Sequence, residues 1–288
     1  MRSTIAAALR LAVSALIIAL ILARVSLRDV TARAASGMPL YLVGALALAL
    51  LSIVLVAMRW RLLAGLLGVP MSIGLAVRAL FLAVFGGQLL PSAVGTDVVR
   101  GWLLTRKTNG IPRVAASLMA DRLIALFAAC LLLLLSNRAI AQVFPAYAAF
   151  VAPVAVLASG ALLFAFLAGV RRMGVAGGAG FRASALLSAL GIALLVQGAA
   201  VVVAALVATA YRLDGSLGLW ISVIPLAVIL SAIPISVNGW GVREATIVVL
   251  AQKLGIAPAD ALLVSVTIGL LNVLASLPGA IVMLRRKD

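Results

Sequence analysis

Residues 90–100, LPSAVGTDVVR, and residues 233–244, IPISVNGWGVRE, are two proline-broken stretches that share one pattern inside an otherwise apolar chain. At one constant offset, close to half of the 288-residue length, four residues recur: Pro91 as Pro234, Val94 as Val237, Val99 as Val242, and Arg100 as Arg243. Hydropathy places both stretches at membrane depth, where irregular backbone is tolerated only if it is buried in protein or lines a cavity. The two stretches therefore predict a working site as well as a fold.

The composition of the chain indicates its class. Hydrophobic residues make up 66% and charged residues 10%, which no soluble domain of this length shows, so we expect a polytopic membrane protein. The formal net charge is +16, but the basic residues lie at the ends of apolar segments. That distribution is typical of a topology signal and of contact with anionic lipid headgroups. Without a soluble basic face, we expect no nucleic-acid partner.

Apolar runs of spanning length, about 20 residues, predict six transmembrane helices. They are Ile5–Leu22, Leu40–Met58, Val114–Leu135, Tyr147–Val170, Ala183–Ala210 and Ala261–Leu284. Two further apolar segments, Leu62–Leu104 and Leu217–Leu250, are interrupted by the Pro/Gly stretches. Each of these segments predicts a helical hairpin.

The basic residues predict the orientation. The tail Arg285-Arg286-Lys287 favours a cytoplasmic C-terminus. When the sides are followed back along the chain from this tail, the same side also holds the loop Thr105–Arg113, the pair Arg59 and Arg61, and the N-terminus. The hairpin of residues 62–104 then begins and ends in the cytoplasm, whereas the hairpin of residues 217–250 begins and ends outside. We therefore expect two re-entrant hairpins that enter the membrane from opposite faces.

The offset between the motifs extends to the whole chain and divides it into residues 1–144 and 145–288. Each half holds three predicted spanning helices and one hairpin. Because each half crosses the membrane an odd number of times, the second half starts on the opposite side and is inverted. Secondary transporters show this arrangement, with broken helices that meet near the midplane. The sequence thus predicts an all-α, inverted-repeat protein of the bacterial inner membrane.

Ionisable side chains at membrane depth are the candidate site residues, because such groups cost several kcal/mol unless they are paired or hydrated. Three of the seven acidic residues lie at this depth. The set comprises Asp97, Asp121, Glu244, Arg78, Arg100, Arg122 and Arg243. Gln88, Asn238 and Asn272 are polar at apolar depth; we expect Gln88 and Asn238 to line a cavity, and Asn272 to form a helix–helix hydrogen bond.

The residue order suggests how an anion could bind. Thr96 can cap a helix that carries Asp97 and Arg100 on one face, and Asn238 can cap a helix that carries Arg243 and Glu244. A helix N-terminus attracts anions, and an arginine one turn in adds a bidentate phosphate donor. Two such ends, pointing inward from opposite leaflets, would suit a phospholipid or polyprenyl-phosphate headgroup.

In this interpretation Arg100 and Arg243 bind phosphate, and Asp97 and Glu244 orient the arginines or exchange protons. The alternative is structural. The pairs Asp97–Arg100, Asp121–Arg122 and Arg243–Glu244 would then only neutralise each other or a neighbouring helix, and Arg78 would extend to the cytoplasmic surface.

Other site classes fail on the sequence. The chain has no histidine, so a Ser-His-Asp or Cys-His site cannot exist, and no P-loop or dinucleotide fingerprint is present. The three carboxylates at membrane depth are separated in sequence, which disfavours a metal-dependent transferase. We expect no enzyme activity, no metal and no cofactor.

At these motifs the chain resembles the flippase-like membrane family that includes the transmembrane domain of lysylphosphatidylglycerol synthases. The matching residues are 88–91 with 95–100, 121–122, and 234–236 with 239–244. Asn is frequent in that family where Gln88 stands, and Gly-Gly-Asp where this chain has residues 95–97, GTD. The aminoacyltransferase domain of the synthases is absent from these 288 residues. The resemblance therefore implies lipid translocation, with an anionic headgroup as the ligand, and not lipid synthesis.

Two rival functions remain open at this point. One is a non-transporting scaffold or accessory subunit for a lipid-modifying enzyme, which predicts closed ion pairs and no central cavity. The other is a membrane-embedded transferase, which predicts a carboxylate cluster at one membrane surface. Whether Arg100 and Arg243 converge on one cavity discriminates among them.

Overall fold

The computed structural model describes residues 37–89, 95–105, 110–136, 141, 145, 148–174, 182–213, 216–232 and 240–284. Within these ranges all regular structure is helical. The helices are α1 (Pro39–Leu66), α2 (Ile73–Leu89), α3 (Gly95–Thr105), α4 (Ile111–Leu133, continued by a 3-10 turn Leu134–Ser136), α5 (Ala148–Arg172), α6 (Ala183–Ala210), α7 (Leu217–Ser231), α8 (Val242–Lys253), α9 (Pro258–Ser276) and α10 (Pro278–Leu284).

Five stretches of helix are long and apolar enough to cross a membrane. They are Pro39–Leu66, Ile111–Leu133, Phe150–Arg172, Ala183–Ala210 and Pro258–Leu284. Each coincides with one of the predicted spanning helices. The sixth, residues 5–22, lies outside the described residues, as do both termini, which carry the orientation signals.

The C-terminal end of α1 corrects a predicted boundary. Sequence hydropathy ended this helix at Met58, but the helix continues to Leu66, where Gly68 takes a left-handed φ of 73° just before Pro70. No proline occurs between Met58 and that turn, so the backbone had no reason to stop at the first arginine. The first hairpin consequently begins with α2 at residue 73 and not at residue 62.

Each predicted hairpin segment contains two helices that pack on one another. In the first, α2 contacts α3, with Gly86 beside Val99 and Gly87 beside Thr96, which is the register of an antiparallel pair. In the second, α7 contacts α8. The connecting residues 90–94 and 233–239, including both prolines of the motif, lie outside the described residues.

The most extensive helix contact joins α1 and α6. Both helices bury small residues, among them Ala45 and Ala49 on α1 and Ala193 and Ala204 on α6, and small residues allow helix backbones to approach closely. Around this pair, α1 contacts α2, α4 and α9, while α6 contacts α7, α9 and α4. The α1–α6 pair is therefore the centre of the bundle, and both hairpins are docked against it.

The predicted spanning helix of residues 261–284 is divided into α9 and α10 at Leu277. Pro278 cannot donate its backbone N–H, so the helical hydrogen bonds are interrupted there. Gly279 then lies against α2 so closely that a Cβ atom would overlap the backbone carbonyl of Phe81. After this break, α10 packs against α2.

Candidate functional site

A cavity of about 550 Å³ lies among the helices of the bundle, and both motif arginines line it. Side chains from α1, α2, α3, α4, α6, α7, α8 and α9 form its wall. Six of the lining residues are charged: Arg59, Asp97, Arg100, Asp121, Arg122 and Arg243. Helices from both predicted hairpin segments therefore line one space.

Arg100 is held by two carboxylates on two helices. Its Nη2 donates to Asp97 Oδ1, three residues back on α3, and its Nη1 donates to Asp121 Oδ2 on α4 at 2.9 Å. The guanidinium also stacks over the ring of Trp60, 5.1 Å from its centroid, and only 4% of the residue is exposed. The buried Nε finds no hydrogen-bond partner among the described residues.

Asp121 joins three helices through its two oxygens. In addition to the bond from Arg100 on α3, its Oδ1 accepts a hydrogen bond of 2.7 Å from Arg59 Nε on α1. Asp121 is 2% exposed and Arg59 4% exposed, so the charges are removed from solvent and depend on each other. This carboxylate therefore fixes the mutual positions of α1, α3 and α4.

Asp97 extends the network to the cavity surface, because its Oδ2 accepts a bond from Arg122 Nε on α4. The side chain of Arg122 is 41% exposed, against 9% for that of Asp97. The adjacent residues Asp121 and Arg122 thus pair with other helices and not with each other. Successive helical residues point about 100° apart, which separates the two side chains.

Arg243 on α8 has a simpler environment. Its Nε and Nη2 donate to Oε1 of the next residue, Glu244, at 3.0 and 2.5 Å. The guanidinium lies over Trp240, 4.9 Å from the ring centroid, and 18% of the Arg243 side chain is exposed. No other helix supplies a carboxylate to it among the described residues.

Glu244 has a second task at the start of α8. Its Oε2 accepts a hydrogen bond of 2.6 Å from the backbone N–H of Gly241, which is one half of a capping box; glycine has no side chain to make the other half. Gly241 has φ 88° and ψ −55°, a backbone conformation that favours glycine. The second motif therefore needs Gly241 for its turn and Glu244 to hold both that turn and Arg243.

Gly269 on α9 provides the room that the Arg243 side chain occupies. A Cβ atom at this position would lie 2.6 Å from Arg243 Nη2 and 2.7 Å from Trp240 Cη2. Asn272, three residues further on α9, is exposed and lines the cavity. The sequence predicts a helix–helix hydrogen bond for Asn272, and the structure places the residue on the cavity wall instead.

The remaining predicted polar residues fall in different places. Thr96 lines the cavity next to Asp97. Gln88 lies at the end of α2 and does not belong to the cavity lining, and Arg78 is exposed on the same helix. Asn238 lies outside the described residues.

Arg59 and Trp60 are site residues that the sequence interpretation missed. Arg59 was predicted to lie on the cytoplasmic side of a membrane span, where basic residues are common, and Trp60 was not among the candidates. Trp60 is fully buried, and its Nε1 donates to Ser117 Oγ at 3.2 Å, which positions the ring beneath Arg100. The signal that could have identified them is the absence of a proline between residues 58 and 68.

The charges of the site do not cancel. Four guanidinium groups line the cavity with two carboxylates, and Glu244 behind Arg243 supplies a third. In the part of the chain that the structure describes, the site thus has one positive charge in excess. The described residues contain no group of three His, Cys, Asp or Glu side chains that could hold a metal ion.

Residues 7–279 match the family described as the lysylphosphatidylglycerol synthase TM region, and the chain belongs to this family. The match agrees with the resemblance carried by the motifs, and with the apolar helices it makes the chain a multi-pass integral membrane protein. No curated protein and no solved structure was found to match.

Proposed function

We propose that this member of the family moves a lipid with an anionic headgroup between the two leaflets of its membrane. The observation that carries the proposal is the shared cavity, in which Arg100 and Arg243 from different hairpins line one space. Charged side chains at membrane depth are costly unless they serve a pathway or a site. A guanidinium is also the side chain best suited to bind a phosphate group.

The composition of the cavity wall suits a molecule with a polar and an apolar end. The wall carries charged side chains from α1, α3, α4 and α8 together with alanines, valines and isoleucines of α1, α6 and α7. A phospholipid could place its phosphate near the charged side chains and its glycerol and upper acyl carbons on the apolar wall. A small hydrophilic solute would leave that apolar surface hydrated.

The helix contacts support an inverted repeat, which we propose for residues 1–144 and 145–288. Under the motif offset α1 corresponds to α6, and these two helices contact each other. The α1–α2 contact then corresponds to α6–α7, α2–α3 to α7–α8, and α4–α6 to α9–α1, and all of these contacts are present. The proposal includes six spanning helices, with residues 5–22 as the first, two opposed re-entrant hairpins, and both termini in the cytoplasm of a bacterial cell.

In this proposal the site performs no covalent chemistry. Asp97, Asp121 and Glu244 hold the arginines in place, and exchange between inward-open and outward-open states would come from motion of the hairpins against the α1–α6 pair. The headgroup then remains near polar groups while it crosses the apolar layer.

One observation favours a second candidate, a scaffold or accessory subunit for a lipid-modifying enzyme. Both Nη atoms of Arg100 are occupied by carboxylates, as expected if the charges only fix the fold. This candidate gives the cavity no substrate. It therefore predicts that the purified chain moves no lipid.

The test is lipid movement in vesicles that contain only the purified protein and lipid. Fluorescent phosphatidylglycerol in the inner leaflet becomes accessible to a membrane-impermeant quencher only after it crosses the bilayer. We expect protein-containing vesicles to lose inner-leaflet fluorescence faster than protein-free vesicles. Equal rates, with the protein shown to be folded and inserted, would favour the scaffold.

A further inference from the structure

We infer that the two motif arginines have different roles: Arg243, with Asn272, contacts the headgroup, whereas Arg100 is a positioning residue that holds α3 on α1 and α4. The inferred ligand is a lipid headgroup with a single negative charge, which means one phosphodiester. This inference rests on the proposed function and deepens it by assigning the contact and the charge of the substrate.

The first argument concerns the donors that each arginine offers. Arg100 uses Nη1 and Nη2 on two different carboxylates, and its side chain is 5% exposed. Its Nε has no partner among the described residues, but this atom is buried, so a phosphate could bind the guanidinium only after Asp97 or Asp121 gave up its bond to Arg100. Leaving one half of a buried ion pair costs several kcal/mol, so Arg100 is a poor choice for reversible binding.

Arg243 differs in burial and in partners. Its side chain is 18% exposed at the cavity, and both of its donor atoms to protein, Nε and Nη2, go to a single oxygen, Glu244 Oε1. Trp240 stacks on one face of the guanidinium, and Gly269 gives the room that Nη2 occupies. The group is therefore held in a fixed orientation by residues of its own turn, with no carboxylate of another helix on it among the described residues.

Asn272 supplies a second polar contact next to Arg243. It lies on the same face of α9 as Gly269, three residues away, and Gly269 is the residue against which the Arg243 guanidinium rests. Asn272 is exposed and lines the cavity. A guanidinium and a side-chain amide on adjacent helices provide donors to a phosphate from two directions.

The second argument is the charge balance of the site. The four cavity arginines and the three carboxylates paired with them leave one positive charge in excess. A low-dielectric site is most stable when its charges are neutralised. One phosphodiester neutralises the excess, whereas a diphosphate headgroup would over-compensate it and a zwitterionic headgroup would leave it unchanged.

The test compares two double variants that conserve net charge. Arg243→Gln/Glu244→Gln and Arg100→Gln/Asp121→Asn each remove one positive and one negative charge, so a difference between them reports contact and not charge. Glutamine at position 244 can still accept the Gly241 N–H, which keeps this cap. Binding is measured on detergent-solubilised full-length protein by titration with dihexanoylphosphatidylglycerol, following tryptophan emission, with Trp240→Phe as the control for the origin of the signal.

We expect the Arg243→Gln/Glu244→Gln protein to bind about 10- to 100-fold more weakly than wild type, the usual effect of losing a charge-assisted hydrogen bond. We expect Asn272→Leu to weaken binding in the same direction. The Arg100→Gln/Asp121→Asn protein should bind within about threefold of wild type once folded. A folded Arg100→Gln/Asp121→Asn protein that loses binding as strongly as the other double variant would overturn the assignment.

The charge and the source of the ligand are tested with three further probes. Dihexanoylphosphatidylcholine and farnesyl diphosphate should each bind more weakly than dihexanoylphosphatidylglycerol. Inorganic phosphate should compete poorly, because it gains nothing from the apolar wall. Tighter binding of the diphosphate, or equal competition by free phosphate, would overturn the single-charge lipid. Because no transport is needed here, intact Arg243-dependent binding without lipid movement would contradict only the proposed function.

Discussion

Arg100 and Arg243 line one cavity, but Arg100 is fixed by carboxylates from two helices and Arg243 by the carboxylate of its own neighbour. The two residues match in the sequence motif and differ in their surroundings. The first hairpin is clamped to α1 and α4 through buried ion pairs, whereas the second hairpin carries its ion pair within one turn. This asymmetry makes separate predictions for stability and for ligand binding.

Asp121→Asn should destabilise the protein strongly. The substitution leaves Arg59 and Arg100 buried with one carboxylate fewer, and breaking one side of a buried ion pair costs about 3–5 kcal/mol. Thermal unfolding in detergent, followed by circular dichroism, should show a clearly lower midpoint than wild type.

The control for that loss is a variant that removes the charge together with one of its two partners. Arg59→Met/Asp121→Leu replaces the Arg59–Asp121 ion pair by apolar side chains, a change that is often close to neutral when the shape is kept, and Arg100 keeps its bond to Asp97. We expect its midpoint to lie above that of Asp121→Asn. A lower midpoint would show that packing, and not charge pairing, is what Asp121 contributes.

Gly269→Ala should weaken ligand binding. The added methyl group would lie 2.6 Å from Arg243 Nη2, so the guanidinium or the Trp240 ring has to move, at a cost of about 1–3 kcal/mol for overpacking. Titration with dihexanoylphosphatidylglycerol measures the effect. Gly191→Ala on α6 is the matched control, because nothing lies within 4 Å of a Cβ there and alanine is the better helix former. Equal affinities in the two variants would contradict the role of Gly269.

Glu244→Ala should lower stability more than Glu244→Gln. Alanine removes the acceptor of the Gly241 N–H and the partner of Arg243, and loss of a helix cap alone costs about 1 kcal/mol. Glutamine keeps an acceptor for the cap and loses only the charge. The midpoint of thermal unfolding should therefore be highest for wild type, lower for Glu244→Gln and lowest for Glu244→Ala. The reverse order of the two variants would argue against the cap that Glu244 makes to the Gly241 N–H.

The sequence predicts the long helices well, since an uninterrupted apolar run has no alternative to a helix in a membrane. Residues 183–210 are predicted and observed with the same ends, because polar residues flank both sides. The end of α1 was misplaced for the opposite reason. Arg59 resembles the usual interfacial arginine in sequence, and only the carboxylate of Asp121 on another helix allows it to be buried.

The site was predicted in outline and not in its connections. Hydropathy identifies Asp97, Asp121 and Glu244 as groups that need partners, but partner choice depends on how helices pack. Asp121 of α4 therefore pairs with one residue of α1 and one of α3, and the adjacent Arg122 pairs with another residue of α3. The two neighbours do not pair with each other. Asn272 was assigned a structural role for the same reason, since sequence alone does not reveal which face of α9 lines the cavity.

The central claim is that the headgroup crosses through this cavity. The most direct measurement uses a substitution that blocks the cavity and changes no charged group. Ser52 on α1 is half-buried and lines the cavity, whereas the adjacent Leu51 is 51% exposed and does not belong to the lining. Lipid movement is compared in vesicles carrying wild-type, Ser52→Trp or Leu51→Trp protein. We predict that Ser52→Trp falls to the protein-free rate while Leu51→Trp keeps the wild-type rate. A folded Ser52→Trp protein that moves lipid as fast as wild type would contradict the account.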